Sequence, residues 1–370
     1  MINREKILLI QLFSNGDCLF ATTVARQIKN DHPGCELTWV VSSKCKTILL
    51  NNPDIDVIEE VVIPDAPQNE EVFNRVVKES LEKKTAGIYT EVIIPQLLGS
   101  NMQYYDGTVC SSIYRSSGLR ITVDTAPLLY LTEEEKENAK QFAQTHNLSG
   151  YRNIVLFECA PQTKQLNLTD EIILDYSQRI LKEENTCVIL SGPRPYNFNH
   201  PNIIDGNTLT IRETVALTHY CTLLLGCSSG ISWAATSVAA KSLPMVQILA
   251  PDAYYFNPLS LTFKKLNKPT DWLIELILFD NEKLGAAFTD IFHLGFDEAR
   301  HKHHQEVKPQ FKLYRGIIHH FLKKGRFAEI GTFVRVNFKE NGFNISMMRY
   351  MLMGLILFPL QLILDQTKKN

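Results

Sequence analysis

Short, almost wholly apolar runs alternate along this chain with longer segments whose apolar positions recur every three or four residues. Ile7–Phe13 is the first such run and predicts a buried strand; Cys18–Asn30 follows with helical spacing and is closed by His32-Pro33-Gly34. Glu36–Ser42 predicts the next strand and Ser43–Asn51 a short helix. Val57–Ile63 predicts a strand, Glu70–Lys84 a helix and Ile88–Pro95 a further strand. Apolar strands that do not alternate with polar residues are buried on both faces. Interleaved with helices of this length, they predict βαβ units and a mainly parallel sheet.

The pattern then restarts. Thr132-Glu133-Glu134-Glu135 is a capping-box sequence, so a helix starts there and runs to about Thr145. His146–Gly150 breaks the periodicity, and the lobe boundary is placed near Asn147–Arg152. A second series follows: a strand at Asn153–Phe157, a helix at Asp170–Glu184 and a strand at Thr186–Leu190. Then come a helix at Arg212–His219, a strand at Thr222–Leu225, a helix after Ser229 and a strand at Met245–Leu249. The expected division is residues 1–148 as a first Rossmann-like lobe, 149–295 as a second, and 296–370 as a helical extension. A chain of 370 residues is long for one core, in keeping with two domains.

In open parallel sheets ligands gather at the carboxyl ends of strands, which directs attention to two loops. Ser14-Asn15-Gly16-Asp17 joins the first strand to the first helix. Gly16 permits a tight turn or a close backbone approach. Asp17 has two readings: a helix N-cap, or a general base facing the cleft. Gly226-Cys227-Ser228-Ser229-Gly230-Ile231-Ser232 occupies the same junction in the second half. Its amides, hydroxyls and helix N-terminus suit a diphosphate, although an ordinary serine cap has the same sequence. Lys164, just past the first strand of the second half, is either solvated surface or a cation for a departing diphosphate. Ser191-Gly192-Pro193 fits a turn at the cleft edge.

Composition changes this picture little; charge changes it in one place. Apolar residues make up 45% and charged residues 21%, as in ordinary globular proteins, and net charge is −2. Residues 300–339 carry ten Lys or Arg against Glu306 and Glu329, a local +8 that leaves −10 for the remainder. One basic surface is implied, not a polyanion-binding protein, and no nucleic-acid motif accompanies it. The eight cysteines form no metal-type spacing and read as buried, reduced thiols of a cytoplasmic protein. The first apolar run is too short and lacks the small-residue site of a signal peptide.

Together these segments resemble the family-9 glycosyltransferases, the bacterial heptosyltransferases of lipopolysaccharide synthesis. The resemblance covers about residues 5–250. It rests on Lys6–Phe13 with Gly16-Asp17, Pro33–Val41, Asn52–Asp56, Ile154–Lys164, Val188–Pro193, Leu209–Glu213 and Gly226–Ser232 in family order. It implies the GT-B fold, with two Rossmann-like lobes facing a cleft. It also implies inverting transfer from a nucleotide-sugar donor to a hydroxyl of a surface glycolipid, with no metal and no cofactor. By position, Asp17 matches the family's proposed base and Lys164 its phosphate-contacting lysine. Ser228, Ser229 and Gly230 match the donor loop, with Ser232 beside them. Two positions depart: Ser228 stands where the loop has aspartate, and Trp233 where a histidine is expected. A different sugar or a specialised branch is therefore anticipated. A non-catalytic carbohydrate- or nucleotide-binding protein, or a sugar-nucleotide epimerase of the same fold, are the rival readings.

The last 70 or so residues are basic and apolar. Arg300-His301-Lys302-His303-His304 lacks a carboxylate or cysteine to complete a metal set. Basic and large apolar residues interleave from Phe311 to Arg326, and Ile345–Leu364 is the most apolar stretch, broken by Arg349 and Pro359. An interfacial helix on an anionic membrane is expected, at the inner face of the cytoplasmic membrane. A packed or oligomer-forming helix is the alternative, and the stretch is marginal for a span.

Overall fold

A computed structural model describes residues 4–63, 69–161, 166–250, 257–277 and 281–359. Lys164 and the end of the apolar stretch after Pro359 lie outside the described residues. The first lobe contains β1 (Lys6–Ile10), α1 (Asn15–Asp31), β2 (Glu36–Ser42), β3 (Val57–Val61), α2 (Asn69–Thr85), β4 (Glu91–Ile93) and α3 (Val109–Ser116). Its strands are all parallel, in the order β3-β2-β1-β4. The uninterrupted apolar run of β1 is explained by burial on both faces: Ile7 and Leu9 pack in one core with α1, and Leu8 and Ile10 pack in another with α2. The helix expected over Ser43–Asn51 is only a 3₁₀ turn at Lys46–Leu49. Asn51 turns to a left-handed φ of 64° and Pro53 follows, so an α-helix cannot propagate there.

The second lobe runs through α4 (Glu133–Thr145), β5 (Asn153–Glu158), α5 (Asp170–Ile180), β6 (Thr186–Ser191), β7 (Ile203–Asp205) and α6 (Ile211–Leu217). It continues with β8 (Leu223–Gly226), α7 (Gly230–Ala234), β9 (Met245–Leu249), α8 (Leu259–Lys265), β10 (Leu273–Ile277), α9 (Asn281–Leu294) and α10 (Phe296–His303). The six strands are parallel, in the order β10-β9-β8-β5-β6-β7. The capping box at Thr132 forms as the sequence predicts: Thr132 Oγ1 accepts from the Glu135 amide at 3.1 Å, and Glu135 accepts from the Thr132 amide at 2.8 Å. Thr210 and Glu213 cap α6 in the same way. Helix α4 packs against α6, and α10 packs against α9 and β10.

Two largely buried charged clusters join the lobes, one through the Thr47 carbonyl and one through the Asp106–Lys265 ion pair. Arg212 on α6 reaches Glu135 at 2.6 Å and the carbonyls of Thr47 and Tyr130. Asp106, fully buried, meets Arg115 at 3.1 Å and Lys265 of α8 at 2.7 Å. Burial raises the Asp106 pKa, but these two cations outweigh it and hold the carboxyl below the usual range.

The C-terminal helices α11 (Lys312–Lys323), α12 (Phe327–Asn341) and α13 (Ile345–Ile356) dock on the first lobe. Tyr105 joins Phe311, Tyr314, Phe321, Phe333 and Met351 in one apolar cluster. Asn337 donates to the Tyr105 carbonyl and Asn341 to that of Asp106, both at 2.9 Å. Helix α13 lies close against α11: a Cβ on Gly354 would come within 2.8 Å of Ile318 Cβ. The most apolar stretch therefore packs along one side, while Ile345, Leu352 and Ile356 are exposed on the other. Among the described residues no helix is long and apolar enough to cross a membrane. Two histidines of the basic segment have partners of their own. His303 pairs with Asp290 at 2.7 Å, and His304 accepts from the Glu275 amide at 3.1 Å. All eight cysteines are buried and free.

Candidate active site between the lobes

Strand order fixes where a ligand can lie. β1 has β2 on one side and β4 on the other, and β5 stands between β6 and β8. Connections leave in opposite directions at these points and open a crevice at the carboxyl ends. The loops after β1 and β8 meet across that crevice. A Cβ on Gly16 would lie 3.7 Å from Trp233 Cδ1, and one on Gly230 would lie 4.0 Å from Asn15 Cβ. A cleft of about 430 Å³ opens beside them, lined by Ser14, Gly16 and Asp17 from one lobe and by Ser228, Ser229, Gly230 and Trp233 from the other.

The first loop differs in detail from its sequence reading. Helix α1 begins at Asn15, so Asp17 is the third helical residue and not the cap. The left-handed residue of the turn is Ser14, at φ 67°, and not Gly16. Gln96 holds this turn: its Oε1 accepts the amides of Leu12 and Phe13, each at 2.9 Å. The Asp17 carboxyl is therefore free of helix capping and lines the cleft. Burial raises its pKa to about 7, the neighbouring Cys45 adds to the rise, and a hydrogen bond from Ser14 opposes it. A carboxyl poised there exchanges protons near neutrality, which suits a general base.

The second loop holds an anion of the chain's own. Glu158, at the end of β5, is 1% exposed. Its Oε1 accepts from Ser229 Oγ at 2.6 Å and from the Ile231 amide at 2.9 Å. Its Oε2 accepts from Ser232 Oγ at 2.6 Å and from the Cys227 amide at 3.2 Å. Ser228 donates its hydroxyl to the Asn257 carbonyl and its amide to Gln247 Oε1, the latter at 2.6 Å. The hydroxyls expected to meet a ligand, those of Ser228, Ser229 and Ser232, are thus donated to the chain itself. Helix α7 spans five residues, so its dipole is small. The Ser229 and Gly230 amides remain: no described residue accepts from either. Gly226 makes room for this arrangement, since a Cβ there would collide with Ser232 Oγ and Gln247. Trp233 packs edge-on to Phe20 of the first lobe, ring centres 4.7 Å apart.

Glu158 and Gln247 went unread in the sequence, although each is a polar residue set in or ending an apolar strand, a placement that demands a buried partner. A second hollow, of about 510 Å³, lies at the mouth of β5 and β6, next in sequence to Lys164. Arg194 sits there 4.6 Å over the Tyr196 ring and pairs with Asp170. Ser191-Gly192-Pro193 leads into it, and Gly192 makes way for the Tyr196 hydroxyl.

No family profile and no curated relative matches this chain. Solved structures do. A glycosyl transferase family 9 protein from Veillonella parvula superposes with a TM-score of 0.54 at 15% identity, over 77% of this chain and 89% of that one. A putative UDP-N-acetylglucosamine 2-epimerase from Listeria monocytogenes gives 0.50 at 12% identity, over 87% and 97%. The two-lobed GT-B plan implied by the resemblance is the fold of this protein, and the structural likeness to glycosyltransferase family 9 accompanies it. Both likenesses speak of fold alone.

Proposed function

We propose that the protein is an inverting, metal-independent glycosyltransferase that moves a sugar from a nucleotide-sugar donor to a hydroxyl of a glycolipid or oligosaccharide. The observation that carries this reading is Asp17: a carboxyl on the cleft wall, raised to about 7, opposite the Ser229–Gly230 backbone. In the mechanism proposed, ionised Asp17 takes the proton of the acceptor hydroxyl as its oxygen attacks the anomeric carbon. The bond to the nucleotide diphosphate breaks on the opposite face. Charge collecting on the departing phosphate is met by the amides of Ser229 and Gly230 and, from the family position, by Lys164. The hollow beside Arg194 and Tyr196 is a candidate seat for the nucleotide.

Asp17→Asn tests this. Transfer should fall by about a hundredfold or more, in the range of general-base losses, while donor binding measured by calorimetry stays within a few-fold. Undiminished turnover would remove Asp17 from the role. ADP-, GDP-, UDP- and CMP-linked sugars are the donors to screen.

A second reading has its own support. The internal anion at Ser229 and Ser232 occupies groups that the donor loop would otherwise offer, which favours a nucleotide-sugar epimerase or a binding protein. Incubating donor without acceptor separates the epimerase from the other two, and adding acceptor then separates transferase from binding protein. A transferase leaves it intact or slowly hydrolysed, an epimerase inverts it, and a binding protein only retains it. The exposed row Ile345, Leu352 and Ile356, near Arg349, is the proposed contact with an anionic membrane. The double variant Leu352→Asp with Ile356→Asp should abolish binding to phosphatidylglycerol vesicles, and retained binding would end the idea.

A further inference from the structure

The cleft that presents Asp17 has no cation among the described residues. Eighteen of them line it, and none is Lys, Arg or His; Asp17 carries the lone carboxyl. Four basic side chains of the two lobes are engaged with carboxylates outside the lining. Arg115 and Lys265 meet Asp106, Arg212 meets Glu135, and Lys268 meets Asp124. Arg326 is not part of the lining; its Nη1, buried without a hydrogen-bond partner among the described residues, lies 3.7 Å from the place a Gly99 Cβ would take. The chain segments adjoining Asn69 and Asn257 in sequence, Pro64–Gln68 and Pro251–Phe256, contain Asp65 and Asp252 but no basic residue, and Lys164, also outside the described residues, is assigned above to the donor phosphate and not to the acceptor.

The polar groups at the wall are uncharged amides. Gln96 is 4% exposed, and three donors, from Gln11, Leu12 and Phe13, fix its Oε1. Its Nε2 is left as a donor without a described partner. Asn257 is 8% exposed, and its Oδ1 is buried without a partner among the described residues. The remaining wall is largely apolar and aromatic, with Phe20, Leu98, Tyr105 and Trp233 among its members. Such a surface accepts hydroxyls through its amides and apolar faces through its rings. Away from the Ser229–Gly230 amides, assigned above to the donor phosphate, its described lining offers no cation to a carboxylate or phosphate, and an anion brought to the acceptor side would lose water and face ionised Asp17.

We propose that the cleft admits an uncharged, hydroxyl-bearing glycoside with an apolar flank, and excludes sugar acids and phosphorylated sugars from the acceptor position. This rests on the reading of Asp17 as the base of a glycosyl transfer and narrows its acceptor class. The discriminating elements are the amides of Gln96 and Asn257, the aromatic wall, and the absence of a cation from the described lining.

Calorimetry on the full chain at pH 8, with phenyl β-D-glucoside and phenyl β-D-glucuronide as probes, tests it. The glucoside should bind at least tenfold more tightly. Asp17→Asn should narrow that gap several-fold by removing the repelling charge, and Leu98→Arg should narrow it by supplying a cation. Equal or tighter binding of the glucuronide, failure of both probes to bind, or a gap unmoved by either variant would overturn the proposal. Assaying nucleotide release and product mass in parallel separates this from the transferase reading. Glucoside preference without transfer from any donor would count against the transferase alone. Transfer to the glucuronide as readily as to the glucoside would count against the acceptor class alone.

Discussion

Glu158 Oε1 stands 2.6 Å from the Ser229 hydroxyl and 2.9 Å from the Ile231 amide, so the loop that faces the cleft is organised from behind by a strand carboxylate. The second lobe repeats the device. Glu275 on β10, fully buried, accepts the amide and hydroxyl of Ser260 at the start of α8. In each case a helix N-terminus that would need an external anion is satisfied by the sheet beneath it. Glu158→Gln keeps the size but turns an NH₂ toward donors, leaving buried groups unpaired. A stability loss of about 2–4 kcal/mol is expected by denaturant titration. Donor affinity should fall with it, since the Ser229–Gly230 amides depend on the same loop. A variant as stable as the parent would show that the carboxylate is dispensable to the loop.

Asp17 ties activity and stability to the same proton. Its carboxyl pKa is about 7 in the folded protein, raised by burial and then by Cys45, against about 4 in an unfolded chain. Between these values the folded state binds the extra proton, so folding free energy declines as pH rises from about 4 to about 7. A base must be ionised, so turnover should climb through the upper end of that window. Rate and stability are therefore expected to move in opposite directions with pH. In Asp17→Asn the decline in melting temperature over this range should flatten. A parent protein whose melting temperature is level from pH 5 to 8 would contradict the raised value.

How much of this was legible can be argued from the same residues. The strand Met245–Leu249 and the Thr132 cap were readable because each depends on local composition: an apolar run buried on both faces, or a hydroxyl three residues before a carboxylate. Asp17 was readable as a cleft residue because a strand–loop–helix junction fixes its position. Its cap reading failed only because α1 starts earlier than its periodicity implies. The Ser228–Ser232 loop was readable as a cleft element, but not the engagement of its hydroxyls. Its partner Glu158 lies about seventy residues away, and pairing across strands β5 and β8 leaves no trace in local pattern. The docking of α11–α13 on the first lobe was equally hidden, since Asn337 and Tyr105 meet over 232 residues of sequence.

Arg212 is the second test of long-range design. Its guanidinium, 2% exposed, serves Glu135 and the carbonyls of Thr47 and Tyr130, and so ties α6 to the first lobe. Arg212→Met fills the volume but abandons a half-buried carboxylate and two carbonyls. About 3–5 kcal/mol of stability should be lost. Arg212→Lys should recover only part, because an ammonium cannot span the planar fork. Glu135→Gln should cost less than Arg212→Met, since its second oxygen still accepts from the Thr132 amide. Equal losses in the Glu135 and Arg212 variants would mean that only the ion pair matters, and not the carbonyl contacts.

Two glycines in the C-terminal helices give predictions of opposite sign. Gly331 lies within α12, and a Cβ there would meet nothing within 4 Å. Gly331→Ala should therefore stabilise, by about 0.5–1 kcal/mol, through the lower entropy of the unfolded chain. Gly354 lies within α13, where a Cβ would come 2.8 Å from Ile318 Cβ and 3.2 Å from the Arg315 carbonyl. Neither neighbour is the loose end of a flexible side chain, so α13 must move away from α11. Gly354→Ala gains the same helix propensity yet should be net destabilising, by about 1–3 kcal/mol of overpacking strain. Because α13 is the outer helix, the damage should be local, with faster proteolysis after Gly342 and little change at the cleft. Should both alanine variants prove stabilising, α13 would not be seated against α11 as described, and the packed reading of the apolar stretch would give way to a loosely held helix.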